Sequence, residues 1–423
     1  MSHSMLGPIA IVGGGPCGLT LARLLETAGF DYVVFERDAT AKPTPRFQGG
    51  TLDLHPETGQ EALRQAGLSA EFEKLARRDA TTMTVQDSQG NLRTTFGETR
   101  DAPEIDRLQL RTMLLDSIPA HRIRWGKSLR SVEKNSKESS DPSNWVLRFS
   151  DDTTESGFSL IVGSDGAWSK VRQIITPAKP QYSGKIFIEG RLSLDNPVYN
   201  AALEMVGAGN SLAIGAEQSL VVQQMADRSY RVYMGLVAPE NIARPGGEVD
   251  LTDMGKARAA MLAPGGHFDN WAPELRAFIE AAEGPWRAWP LYRMDPDVFL
   301  PVTGTEDRDL GRWVSSPGVA LLGDAAHISI PNGEGVNQAM YDALVLFESI
   351  SREAGADARL ESDETRKAAL GRAVVAYEAE MLPRAREHLL HSIEDEGMFW
   401  GEDAAARLVQ MFNKMAKQSH QDV

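Results

Sequence analysis

The chain has 423 residues, 42% hydrophobic and 24% charged, which suits a globular protein of two or three units and excludes disorder as its main state. Lys and Arg number 44 against 59 Asp and Glu, a formal charge of −15, so the basic footprint that draws nucleic acid or an anionic membrane is missing. The single cysteine, Cys17, leaves no intrachain disulfide and no cysteine-based zinc site, and fits a reducing, cytoplasmic setting.

Taken in order, Pro8 to Val12 is a short apolar run closed by Gly13-Gly14-Gly15 and is predicted to be a buried parallel strand. It is too short to span a membrane, and glycines rather than a cleavage site follow it, so no signal peptide is expected. No later run reaches the roughly 18 apolar residues of a transmembrane helix. Gly18 to Gly29 has helical apolar spacing, and Tyr32 to Glu36 reads as a second strand, giving a βαβ unit. Helices are predicted at Gln60 to Leu68 and Leu108 to Ile118, an exposed hairpin tip or loop at Glu133 to Ser143, and strands at Trp145 to Phe149 and Phe158 to Val162. From Phe187 to Val237 the pattern turns to extended strands with little helix, so a separate, mostly antiparallel sheet is expected. Val319 to Leu322 is again a buried strand, followed by a loop and a helix from about Val336. Glu364 to Leu390 is helical, with Pro383 expected as a kink or a joint between two helices.

Three motifs carry chemistry. In Gly13-x-Gly15-x-x-Gly18 the glycines permit a tight turn, a close approach of backbone to a pyrophosphate, and close helix–strand packing. The helix start offers free N–H groups to phosphate. Glu36 ends the next strand, 18 residues past Gly18, where a carboxylate can accept from a ribose. Cys17 inside this loop reads as a small packing residue. The second motif, Gly163-Ser-Asp165-Gly166-Ala-Trp-Ser169-Lys-Val-Arg172, follows a strand, and Ser169 can cap the next helix. The third runs Gly323-Asp324-Ala-Ala-His327, then Pro331-Asn-Gly333-Glu334-Gly335-Val336-Asn337. Asp324 at a strand end can hold a ribityl hydroxyl, and Gly333 and Gly335 bare the N–H groups of the next helix. His327 lacks partners for a metal site and reads as structural.

The three motifs in this order resemble the FAD-dependent aromatic hydroxylases, the single-component flavin monooxygenases. Gly49-Gly-Thr-Leu-Asp53-Leu-His55 with Gly59-Gln-Glu-Ala, and Glu104-Ile-Asp-Arg107-x-x-Leu-Arg111, are similar to the tetracycline-inactivating subgroup. The resemblance implies an α/β fold: a Rossmann-like FAD-binding domain with an inserted, mostly antiparallel β-sheet substrate domain and a C-terminal helix. The expected division is 1–180 and 291–350 for the FAD-binding domain, 181–290 for the sheet, and 351–423 for the helical tail. It further implies that Glu36 and Arg37 contact adenosine, and that Arg107 meets the flavin with Arg111 one turn along. Asp53 would lie near the ring, Asp324 on the ribityl–pyrophosphate stretch, and Gly333, Gly335, Val336 and Asn337 along the ring edge. Asp165 is counted with the cofactor-binding residues. Glu189, Arg191, Tyr233 and Pro331 are the substrate candidates. Two departures stand out: Glu334 replaces the family's usual Gln, and the loop from His327 to Gly333 is one residue shorter than in that subgroup.

The implied activity is insertion of one oxygen from O2 into a small cyclic or heteroaromatic molecule. A flavin hydroperoxide would deliver it, with FAD held non-covalently and NADPH or NADH as a transient reductant; no second Gly-x-Gly-x-x-Gly suggests a stable nicotinamide domain. Drug inactivation and metabolite tailoring are both compatible, as are a monomer and a weak homodimer. An FAD-linked oxidase or reductase, or a non-catalytic flavin-binding protein, are the competing readings. Trp286-Arg-Ala-Trp289-Pro superficially resembles a flavin-halogenase motif but reads as packing between domains, and Met398, Phe399 and Trp400 could close the cavity from the tail.

Overall fold

The computed structural model describes residues 7–42, 49–97, 99–135, 144–302, 311–355, 362–401, 404 and 407, with the backbone alone at 398 and 399. Phe47 and residues 136–143 of the expected hairpin tip lie outside the described residues. Five short strands form a parallel sheet in the spatial order Val319–Leu321, Leu160–Gly163, Ile9–Val12, Tyr32–Phe35, Ile123–Arg124. Ile11 sits between Val34 on one side and Val162 on the other. Helices cover the sheet, so these strands are apolar runs rather than alternating ones. Helix Pro16–Thr27 packs on helix Gly335–Glu353, which in turn packs on the tail helix.

The second sheet has seven strands, in the order Glu283–Arg293, Gln181–Leu192, Tyr230–Val237, Gln218–Gln224, Asn210–Ile214, Met83–Asp87, Leu92–Phe96. All neighbours are antiparallel except Asn210–Ile214 with Met83–Asp87. Two strands therefore come from outside 181–290. They are polar and mostly half-exposed, which leaves no apolar run to betray them in the sequence. A two-stranded ribbon, Thr51–Asp53 against Glu104–Asp106, lies between the halves and sets Asp53 opposite Glu104.

The tail corrects the two-helix expectation. Asp363–Phe399 is one helix with Pro383 inside it. Ala373, Tyr377, Met381, Ala385 and Leu389 are all buried at four-residue spacing, so packing along one stripe outweighs the hydrogen bond that proline forfeits. Ser362 caps this helix through the Thr365 N–H at 3.3 Å. Among the described residues no helix is long and apolar enough to cross a membrane.

Candidate cofactor and substrate site

The first loop is built as its glycines demand. Gly13 has φ +113°, and a Cβ on Gly18 would meet the Gly13 carbonyl oxygen at 2.1 Å and Ser164 Oγ at 2.5 Å. Gly15 precedes helix Pro16–Thr27, which has no side-chain cap, and a Cβ there would meet nothing within 4 Å. The positive end of that helix thus opens on free space. Glu36 is buried; Oε2 accepts from the Gly14 N–H at 2.6 Å and Oε1 from the Asp38 N–H at 2.9 Å. Arg37 is exposed. Arg111 is buried rather than solvated: it donates to the Gly14 carbonyl at 3.1 Å and to Asp38 at 3.2 Å.

The second and third motifs meet through Arg172, a residue whose role the sequence reading did not assign. Its guanidinium donates to the Ala325 carbonyl at 3.0 Å and the Asp324 carbonyl at 3.4 Å. The only hint was its place at the end of the second motif. Asp165 accepts from the Lys170 N–H at 2.8 Å, while among the described residues its Oδ1 is buried with no partner; burial lifts this carboxyl above the usual range. Asp324 is exposed at the cleft, yet desolvation by the surrounding protein raises its carboxyl too, against the pull of Arg107, His327 and Arg172. Facing it, Arg107 opens helix Arg107–Asp116. Among the described residues its half-buried guanidinium makes no hydrogen bond or ion pair; burial lowers its pKa while Asp324 and Tyr233 push it back. His327 is structural: its Nε2 lies 2.7 Å from Asp342, which also accepts from the Gly323 N–H at 2.7 Å and Arg384 at 2.9 Å.

Helix Gly335–Glu353 also lacks a side-chain cap, and a Cβ on Gly335 would meet nothing within 4 Å. The Cys17 thiol donates to the Ala339 carbonyl at 2.9 Å, so the two uncapped helix starts are neighbours. Gly333 has φ +87° and stands 3.7 Å, measured from its missing Cβ, from Asp53. Val336 is half-buried and Pro331 exposed. Asn337 has a wholly buried side chain, and both ends of its amide are used. Oδ1 accepts from the His55 N–H at 2.8 Å, and Nδ2 donates to the Asp53 carbonyl at 2.9 Å. It latches the ribbon to the helix, leaving only its backbone to meet a ring edge.

His55 forms a second latch, and Glu334 is half of it. Nε2 is 3.0 Å from Asp53 and Nδ1 is 3.4 Å from Glu334. Burial pulls the imidazole down, but the hydrogen bonds to Asp53 and Glu334 outweigh it and lift the pKa to about 9. Arg100 crowds the same Nε2 at 2.6 Å and pairs with Asp53 at 3.3 Å. Because Nε2 carries one proton or one lone pair, the charged imidazole is bound through the two carboxylates and the neutral one through Arg100. The sequence signal for this latch was the Glu in place of Gln.

On the sheet wall, Glu189 lies opposite Tyr233 and Arg191 opposite Arg231. Glu189 is 3% exposed; it pairs with Arg231 at 3.1 Å and accepts from Trp289 Nε1 at 2.7 Å. Arg191 instead bonds Asp227 at 2.9 Å on the surface, and a register shift against the neighbouring strand lies between it and Glu189. Arg231 is the residue missed. Trp286 packs not between domains but within the core of the sheet unit, bonding the Ala282 carbonyl at 3.2 Å, and Trp289 Nε1 donates to Glu189 on the sheet wall. Phe187 stands 6.0 Å from the Tyr233 ring and 5.6 Å from Trp400, so the tail does reach this wall. The side chains of Met398 and Phe399 lie outside the described residues. A separate groove of about 820 Å³ between helices Ser69–Leu75 and Arg107–Asp116, lined by Leu68, Lys74, Leu108 and Met113, is remote from this chemistry.

These residues fit FAD. Two uncapped helix starts suit its phosphates and the electron-rich part of the ring, and among the described residues the charged ends of Arg107 and Asp324 make no side-chain hydrogen bond or ion pair. The FAD binding domain family matches residues 7–197, which makes the protein a flavoprotein. Monooxygenase penA of Penicillium thymicola is 29% identical over 432 residues, covering 92% of this chain and 96% of its own. Klebsiella pneumoniae HpxO, solved with FAD and uric acid, superposes with a TM-score of 0.72 at 20% identity, covering 98% of this chain and 95% of that one. Tetracycline destructase Tet(51) gives 0.65 at 16% identity and 96% of both chains. The two structures share the fold. The protein is an FAD-dependent monooxygenase.

Proposed function

We propose that the enzyme uses NADPH or NADH as its reductant to insert one oxygen atom into a small cyclic or heteroaromatic organic molecule, in metabolite tailoring or drug inactivation. FAD, held non-covalently, supplies the redox chemistry and O2 activation when bound. Gly13, Gly15, Gly18, Glu36 and Arg37 form the adenosine–pyrophosphate end. Arg111 and Asp165 brace that end, Asp324 takes the ribityl stretch, and Arg107, Asp53, Gly333, Gly335 and Val336 face the ring. Glu189, Tyr233 and Arg231, with Pro331 at the rim, line the substrate side and exclude water from it. Residues 1–180 and 291–350 would act as the cofactor half and 181–290, with the 83–96 hairpin, as the substrate wall. The reading places the enzyme in a reducing cytoplasm, as a monomer or weak homodimer; the lone buried cysteine supports that compartment.

The observation that carries this reading is the pairing of two bare helix starts with Arg107 and Asp324, a cation and an anion that leave their polar ends to the cleft. The test is direct. Acid precipitation should release FAD into the supernatant, and ¹⁸O from labelled O2 should appear in product when NADPH is oxidised with a panel of cyclic phenols and lactams. Released FAD with NADPH consumption but no label in any product would leave an oxidase or reductase in its place.

A further inference from the structure

The arginines of the substrate wall are already spoken for. Arg191 is paired with Asp227 at the surface, and Arg287, opposite Glu189 on the next strand, is likewise not free. Arg231 holds Glu189 at 3.1 Å, and Glu189 is itself buried and fixed by the Trp289 N–H. An arginine that binds a carboxylate ligand needs its charge available as well as its fork. Here the charge is cancelled by a neighbour that cannot swing away into water. A second carboxylate brought to Arg231 would face Glu189 at close range in a poorly solvated site, and like charges so placed repel strongly.

Arg231 does keep donors. Among the described residues its Nε is buried with no partner, and its Nη2 lies beside Gly49, 2.9 Å from where a Cβ would stand. These N–H groups belong to a guanidinium whose charge Glu189 balances, so the pair as a whole is neutral and suited to a neutral acceptor. The Tyr233 hydroxyl stands beside Gly50 on the same face, and the Phe187 and Trp400 rings continue it as apolar surface.

We propose that Glu189 and Arg231 select an uncharged substrate: a ring carrying an amide, lactam or ketone carbonyl binds Arg231, and Glu189 turns away the corresponding acid. The proposal rests on the substrate wall assigned above. It is tested on the FAD-loaded protein by titrating 4-hydroxybenzamide and 4-hydroxybenzoate, two probes of nearly one shape, and following calorimetry together with the flavin absorbance. The amide should bind the native protein at least about tenfold more tightly, a change of one decade in Kd. Glu189→Gln should shift the acid-to-amide ratio at least about tenfold toward the acid. The double variant Glu189→Gln, Arg231→Gln should bring the ratio back, which ties the gain to the guanidinium rather than to a loosened wall. Equal or tighter binding of the acid by native protein overturns the proposal. So does an unchanged ratio in Glu189→Gln, or no binding of either probe to all three proteins. The titrations use neither NADPH nor O2, so failure of the monooxygenase reading would show separately, in the labelling experiment.

Discussion

The cofactor half and the substrate wall hold their charged groups by different means. Glu36 and Arg172 spend their polar atoms on backbone: the Gly14 and Asp38 N–H groups, and the Asp324 and Ala325 carbonyls. Glu189, Arg231 and Trp289 are held by one another's side chains across strands distant in sequence. Backbone partners are the same in any sequence that makes the turn, so the first arrangement is specified by a few glycines and one acid. Side-chain partners must be chosen together, so the second can be rewritten for a new ligand without disturbing the fold.

The comparison is sharpest where backbone meets backbone. Gly18→Ala puts a Cβ 2.1 Å from the Gly13 carbonyl oxygen, a clash that only main-chain movement relieves. Its expected cost is about 2–4 kcal/mol, seen as a lowered melting temperature and purification without yellow colour. A Gly18→Ala protein with native stability and full FAD would break the claim that this half is set by backbone geometry.

Glu36→Ala should come next. It removes an acceptor from two backbone N–H groups and a ribose contact from the proposed site. Loss of hydrogen bonds to a charged group costs roughly 1.5–3 kcal/mol, about ten- to a hundredfold in FAD affinity. Equilibrium dialysis against FAD measures it, and unchanged retention would show that the ribose end has been misplaced.

The His55 latch gives a smaller effect with a definite sign. Its folded pKa, about 9, lies above the free value of about 6.5. The stabilisation is therefore full below about pH 6.5 and is lost as pH rises through about 9. The melting temperature of FAD-loaded protein should fall between pH 7 and pH 9.5, and fall less in His55→Gln. Glu104, lifted to about 7 chiefly by burial, loses its share over a lower range in both proteins, so the difference between them isolates His55. Parallel pH curves would remove the latch from the account.

Smallest of all is Arg191→Ala. An exposed ion pair contributes about 0–1 kcal/mol, and Arg191 with Asp227 is one. KM and melting temperature should stay near native, whereas a raised KM would return Arg191 to the substrate site.

Against this background the legibility of the chain is easy to account for. The parallel strands and the three loops could be read because glycine and a short apolar run each have a local meaning. His327 was read as structural on the same footing. Arg231 could not be found, because its only qualification is lying across a strand pair from Arg191 and 3.1 Å from a residue 42 positions earlier. Met83–Asp87 and Leu92–Phe96 escaped for a related reason: their place is fixed by Asn210–Ile214, not by anything in their own pattern. Asn337 was placed by its motif on the ring edge, yet its amide turned inward to bind His55 and Asp53.

Cys17 offers an experimental handle that the fold supplies without engineering. Its thiol is buried, donates to the Ala339 carbonyl, and is held well above its ordinary pKa chiefly by that burial. A closed molecule should be inert to thiol-directed dyes, so a cysteine placed anywhere on the surface would become the sole labelling point. The converse is as useful. Slow capture of Cys17 by such a dye would time the parting of helices Pro16–Thr27 and Gly335–Glu353, turning a packing atom into a stopwatch for the opening of the cofactor half.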